Sequence, residues 1–201
     1  AGEACPPDLV AQWSSGRRFI NGYGPTESTV CATAAICTES KTAPPIGRPI
    51  DNIQLYILDC YLQPVPIGIA GELHIGGAGL ARGYLNRAEL TAEKFIPNPF
   101  SQEYSGRLYK TGDLVRYLPD GNIEFLGRID QQVKIRGFRI ELGEIEAVLS
   151  LHPQVREAVV VVRVEPAGKR LVAYIVPKSG SIATSELRSF LADKLAEFMV
   201  P

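Results

Sequence analysis

The 201-residue chain is 45% hydrophobic and 21% charged, and its 21 basic against 22 acidic side chains leave a formal net charge of −1. Such proportions describe a globular chain with room for one domain or two small ones, and the near-neutral balance argues against nucleic-acid and membrane-surface partners. No apolar run nears the roughly 18 to 20 residues of a membrane span, and the start AGEACPPDLV has neither the basic flank nor the apolar core of a signal peptide. The chain therefore reads as cytoplasmic. It begins at Ala1 and stops at Pro201 directly after a helical pattern, so it also reads as a piece of something longer. Cys5, Cys31, Cys37 and Cys60 form no C-x-x-C pair, and His74 and His152 lie far apart, which leaves a zinc or redox site without support.

Taken in order, the pattern opens with a helical start over Pro7 to Trp13 and then turns to short strands and Gly/Pro loops. Ile53, Leu55 and Ile57 alternate within NIQLYILD and predict a strand, GELHI at 71–75 predicts a second, and a short helix is expected over Ala88 to Phe95. From Leu108 the chain reads as hairpins, with Asp120-Gly121 the clearest turn signal. Beyond Asp130 the expected order is strand (QVKIRGFRI), helix (ELGEIEAVLSLH), strand (VREAVVVVRVE), strand (RLVAYIVPK), helix (TSELRSFLADKLAEF). Leu142, Ile145, Val148 and Leu149 share one helical face, as do Leu187, Phe190, Leu191 and Leu195, while the run Val159 to Val162 predicts a buried central strand. Thr184 is the expected N-cap of the last helix, and Glu141 and Glu144 suit the positive end of the one before it. The fold class is α+β, with a seam at Gly127 to Asp130 that divides the chain into 1–128 and 129–201.

Three stretches carry chemistry. In Asn21-Gly22-Tyr23-Gly24-Pro25-Thr26-Glu27 two glycines flank an aromatic residue, and a hydroxyl and a carboxylate follow. That composition suits a tight loop where backbone approaches a flat ligand, a ring stacks on it, and Thr-Glu reaches a phosphate and its cation; a plain Pro-Gly turn is the bland alternative. Tyr109-Lys110-Thr111-Gly112-Asp113 sets a carboxylate after a glycine turn, suited to a ribose diol, although a surface turn would look similar. In the stretch from Gly127 to Arg139, cations alternate with apolar residues. As one strand it would show Lys134, Arg136 and Phe138 on one face, or serve only as an edge blunted by charge. GELHIGGAGLARG invites a dinucleotide fingerprint and fails it: Arg82 stands where the third glycine belongs, and no following strand with an acidic residue about twenty positions on completes the unit.

The succession GEACP, NGYGPTE, GELHIGGAGLARGYLNR, YKTGDL and GRIDQQVKIRGFRIELGEIE resembles, segment by segment and in order, the adenylation domains of nonribosomal peptide synthetases. Their superfamily also holds acyl-CoA synthetases and luciferases. The resemblance spans nearly the whole chain, and LARGYLNR and IELGEIE favour the amino-acid-activating branch. It implies the C-terminal part of a large lobe with a distorted β-barrel, followed by a small α+β lobe. It also implies that Asn21 hydrogen-bonds the adenine amino group, Tyr23 stacks on the ring, Thr26 meets the α-phosphate and Glu27 holds Mg²⁺. Asp113 would accept the ribose hydroxyls, Phe125 would line the adenine side, Arg128 and Lys134 would contact the ribose region, and Gly2 of GEACP would join the nucleotide-binding set. Asp130 would be a hinge between two half-reactions. The implied catalytic residues are thus Thr26, Glu27 and Lys134.

The reaction so implied is attack of an amino-acid carboxylate on the α-phosphorus of ATP with release of pyrophosphate, then transfer to the phosphopantetheine thiol of a peptidyl carrier domain among neighbouring synthetase modules. The family's Gly/Ser/Thr-rich phosphate loop and substrate-anchoring aspartate would precede Ala1, and its catalytic lysine would follow Pro201, so this stretch alone is expected to adenylate poorly. Ala1, Gly22, Val30 and Cys31 correspond to side-chain pocket positions. All are small or apolar, which favours a large hydrophobic or aromatic amino acid. The rival expectations are an acyl- or aryl-CoA ligase and a non-catalytic fragment that binds a nucleotide without turnover.

Overall fold

The structure, a computed structural model, describes residues 2–38, 42–101, 106–130, 132–165 and 168–201. The chain divides into two compact units, one running Glu3–Asp130 and the other Gln131–Pro201.

In the first unit helix α1 (Pro7–Ser14) precedes strands β1 (Phe19–Tyr23), β2 (Thr33–Cys37) and β3 (Arg48–Pro49), which pair antiparallel in that order. Proline at the first turn of α1 supplies the fixed φ that a helix start tolerates, and Val10 buries against Ala35 and Cys37 of β2. A single-turn 3₁₀ helix, Thr26–Ser28, links β1 to β2. The second sheet runs β4 (Ile53–Leu58), β5 (Gly71–Gly77), β7 (Arg107–Tyr117), β6 (Phe95–Pro97), with β8 (Ile123–Arg128) also on β7 and helix α2 (Ala88–Lys94) leading into β6. This sheet curls into a half-barrel. Ile57, Leu73, Ile75, Val115 and Ile123 fill its interior together with Ala32 and Ile46.

Strand β7 decides where the chemistry sits. Its buried positions alternate through Tyr109, Thr111, Asp113 and Val115, so two polar side chains share the interior face with two apolar ones. The expected glycine turn before Asp113 is instead a kink inside one continuous strand, where Gly112 takes φ +70°. A Cβ there would stand 2.7 Å from Asp130 Oδ2 and 2.8 Å from Arg128 Nη2, so only glycine permits the approach.

The second unit holds β9 (Val133–Ile135), β10 (Phe138–Ile140), helix α3 (Leu142–Ser150), β11 (Val155–Glu165), β12 (Gly168–Pro177), helix α4 (Thr184–Ala192) and a closing 3₁₀ turn, Glu197–Met199. Ile135, Ile140, Leu142, Ile145, Leu149, Val160, Leu191 and Met199 form its core. Several sequence expectations change here. QVKIRGFRI is a hairpin rather than one strand, because Arg136 (φ +52°) and Gly137 (φ +81°) form a two-residue turn and pair Lys134 with Arg139 and Ile135 with Phe138. Arg136 therefore sits at the turn, not on a face with Lys134. The run Val159 to Val162 lies in a two-stranded ribbon, and its burial alternates: Val160 is 3% exposed and Val159 is 54% exposed. Thr184 is the first helical residue, with Ala183 at the N-cap and no side-chain cap bond, and the last helix stops at Ala192 before a separate turn.

His74 in β5 is fully buried, and its Nε2 finds no hydrogen-bond partner among the described residues. Nδ1 lies 3.1 Å from the Glu72 carbonyl oxygen. Burial holds the imidazole below its ordinary value of 6.5. The folded state therefore binds this proton at lower pH than the unfolded chain does, so stability rises with pH between the two values and is lost as pH falls below about 6.5. In urea unfolding from pH 7 down to 5, the His74→Gln variant is expected to lose its midpoint less steeply than the wild type. Parallel slopes would remove His74 as the source.

Candidate functional site

The centre of the site is a carboxylate held on both oxygens. Asp113 is buried, its Oδ1 accepts from Arg128 Nη1 at 2.8 Å, and its Oδ2 accepts a short bond from the Tyr23 hydroxyl. Tyr23 comes from the end of β1, and Arg128 lies directly across the β7–β8 ladder from Asp113. The partners thus arrive from three strands. Arg128 also donates from Nη1 to the Thr111 carbonyl at 2.8 Å, and it grips Asp130 through Nε–Oδ1 at 2.9 Å and Nη2–Oδ2 at 2.5 Å. Burial alone would lower the Arg128 pKa, but the bonds and charges of Asp130 and Asp113 outweigh it and raise the value. For Tyr23, burial first and the Asp113 charge second push the phenol well above its ordinary range, so it stays a neutral donor. The loop backbone is fixed as well: Thr111 Oγ1 donates to the Leu73 carbonyl (2.7 Å) and accepts from Asp113 N–H (3.0 Å), and Gly112 N–H donates to Glu72 Oε1 (3.0 Å).

A second carboxylate, Glu27, lies in the 3₁₀ turn and is 7% exposed. Its Oε1 accepts from the Tyr84 hydroxyl at 2.7 Å, and its carbonyl accepts from Ala81 N–H at 2.9 Å. Thr26, beside it, is exposed at the start of the turn. Among the described residues no group of three or more His, Cys, Asp or Glu forms a metal cage. A lone buried carboxylate with a neighbouring hydroxyl is an all-oxygen donor set, and it fits Mg²⁺, which takes one or two carboxylates and fills its remaining positions with phosphate oxygens and water.

The other predicted residues fall as follows. Asn21 ends its side chain on the Pro45 carbonyl, with Nδ2 donating at 2.9 Å. Gly22 pairs with Ala34, and a Cβ there would lie 3.8 Å from Cys31 Sγ, so these two pocket candidates are neighbours. Val30 is 69% exposed and takes φ +71°, the second of two consecutive left-handed residues after Thr29. Phe125 packs half-buried beside the half-barrel core. Gly2 is exposed, and Ala1 lies outside the described residues. Lys134 belongs to the second unit, on β9 opposite Arg139. Asp130 is the last residue of the first unit. Sequence reasoning passed over Tyr84, Thr111 and Glu72 as contact residues. Tyr84 meets Glu27 across 57 positions, and no spacing rule joins them.

Family comparisons agree with this geometry. The model of the AMP-binding enzyme family matches residues 1–85, and that of the AMP-binding enzyme C-terminal domain matches 144–201. The chain belongs to the AMP-binding family of adenylate-forming enzymes. It is 59% identical over its full length to a linear gramicidin synthase of Brevibacillus parabrevis, of which it spans 4%. Against chondramide synthase cmdD of Chondromyces crocatus it is 56% identical, again over all of this chain and 5% of the relative. Among solved structures, an artificially fused adenylation-PCP di-domain, NpsA-ThdA of Klebsiella oxytoca, superposes on all of the chain with a TM-score of 0.82 at 33% identity, over 38% of that protein. The chain therefore covers a small share of the curated relatives it matches. Among the described residues no helix is long and apolar enough to cross a membrane.

Tyr23→Phe removes one donor from a buried carboxylate and leaves the ring in place. Hydrogen bonds to charged groups contribute about 1.5–3 kcal/mol, and a loss of that size is expected in urea unfolding. A change under about 0.5 kcal/mol would show that Asp113 gains nothing net from the phenol.

Proposed function

We propose that this chain forms the nucleotide-holding part of an amino-acid adenylation domain in a nonribosomal peptide synthetase. The observation that carries the reading is the convergence of Tyr23, Asp113 and Arg128 from separate strands onto one buried carboxylate. Each oxygen of a carboxylate has two acceptor positions, so Asp113 retains capacity for a ribose hydroxyl on each side while Tyr23 and Arg128 hold it in place. With Asn21 Nδ2 directed to Pro45, the amide oxygen is the atom to accept from an adenine amino group. Tyr23 supplies a ring for stacking, Phe125 lines the adenine side, and Gly2 adds backbone near the nucleotide. Lys134 and Arg128 provide cations toward the ribose region.

The amino-acid carboxylate is ionised near neutral pH and needs no general base to attack the α-phosphorus. Catalysis then rests on positioning and on countercharge at the phosphates. Thr26 meets the α-phosphate, and Glu27 holds Mg²⁺, which when bound supplies that countercharge. Pyrophosphate leaves as the aminoacyl-AMP forms. In the second half-reaction a phosphopantetheine thiol of a peptidyl carrier domain attacks the acyl carbonyl and AMP leaves. The domain division is 1–128 and 129–201, with Asp130 the hinge between the half-reactions; the grip of Arg128 on Asp130 supports that role. Ala1, Gly22, Val30 and Cys31 line the side-chain pocket, and their small or apolar character favours an aromatic or large hydrophobic amino acid.

Amino-acid-dependent ATP–pyrophosphate exchange tests the reading, with the chain run beside the complete domain and a panel weighted to Phe, Tyr, Leu and Val. Exchange by the complete domain with one of these is the expected result. ATP consumption only with a fatty or aryl acid and CoA would overturn it. In the complete domain, Asp113→Asn is expected to raise the KM for ATP by about 10-fold or more, since a bond to a charged acceptor is worth roughly 1.5–3 kcal/mol, with the KM for the amino acid little changed. An unchanged KM for ATP would remove Asp113 from the ribose site.

A further inference from the structure

The segment from Gly77 to Arg87, which the sequence offers as a failed dinucleotide fingerprint, has a different task. It is laced to the turn that carries Glu27. Ala81 N–H donates to the Glu27 carbonyl at 2.9 Å, Thr29 Oγ1 donates to the Gly79 carbonyl at 2.6 Å, and the Tyr84 hydroxyl donates to Glu27 Oε1 at 2.7 Å. Tyr84 is itself held from behind. Its N–H donates to Thr91 Oγ1 at 2.9 Å, and its ring stands edge-on to the buried Phe95 at 5.7 Å between centroids. The guanidinium of Arg107 secures the same segment by donating to the carbonyls of Arg82 (2.9 Å) and Ala81 (3.0 Å).

We infer that Tyr84 is a positioning residue that fixes the carboxylate rotamer of Glu27 for the divalent cation. The inference rests on the reading of Glu27 as the metal-holding residue. A carboxylate at the end of three rotatable bonds is poorly aimed by itself. A phenol that is anchored at its backbone and along its ring removes that freedom while leaving the carboxylate ionised. Burial, and then the bond to Glu27, raise the Tyr84 phenol far above its ordinary range, so the donor persists across the working pH range. Partners of this kind behind a metal ligand typically contribute about 10–100-fold in metal affinity.

The test is a direct Mn²⁺ titration by electron paramagnetic resonance of the complete domain that contains this chain, with a non-hydrolysable ATP analogue bound. Tyr84→Phe is expected to weaken Mn²⁺ binding about 10-fold and to leave the KM for the amino acid unchanged. Glu27→Gln, run in parallel, separates the two claims. If Glu27→Gln weakens Mn²⁺ binding and Tyr84→Phe matches the wild type, the positioning role is overturned while the metal reading stands. If Glu27→Gln has no effect, the metal reading falls and the inference with it. Should Tyr84→Phe not fold, Thr91→Val keeps the phenol but removes its backbone anchor. A several-fold loss of Mn²⁺ affinity supports the inference, and wild-type affinity overturns it.

Discussion

A carboxylate taken out of water needs compensation from charge and hydrogen bonds, and Asp113 obtains it from Arg128 across the β7–β8 ladder and from Tyr23 at the end of β1. Removing one partner of such a pair typically costs about 3–5 kcal/mol, because the remaining charge is left uncompensated. That constraint ties several features together. The kink at Gly112 exists because Arg128 and Asp130 occupy the space where a side chain would project. Thr111 and Glu72 hold the kinked backbone in register, and Arg128 in turn fixes Asp130 at the boundary of the unit. A single cross-strand ion pair thereby links the interior of the half-barrel to the point where the second unit begins.

The two carboxylates solve the same problem by different means. Asp113 lies against a full positive charge, in keeping with a group whose oxygens must stay ionised to accept hydroxyl donors. Glu27 is engaged by a neutral phenol, which orients it without neutralising it. A cationic partner there would compete with a divalent ion for the same electrons, whereas a phenol aims the carboxylate and leaves its charge for the metal.

Much of the architecture was legible before any coordinates. Alternation at Ile53, Leu55 and Ile57 and the helical stripe of Leu142, Ile145 and Leu149 follow from burial of one face, and both appear as read. The misreadings share a cause. Arg136-Gly137 is a turn whose first residue takes a left-handed φ despite its side chain, so periodicity carried the strand straight through it. Val159 to Val162 looked like a doubly buried strand, but a two-stranded ribbon covers one side only. The Gly112 kink read as a turn because glycine marks both, and only pairing on two sides shows the strand to be continuous.

By itself the sequence determined which residue types the chemistry draws on and in what order: the aromatic and Thr-Glu run at 23–27, Asp113 and the cations from Arg128 onward. These are local properties, since a motif of a few residues carries its side chains with it. Only the tertiary structure decided which of them meet. Tyr23 finds Asp113 across 90 positions and Tyr84 finds Glu27 across 57, and neither pairing has a periodic or compositional trace. Strand order and sheet curl bring these side chains together, and that geometry depends on the burial of the whole unit rather than on any one segment.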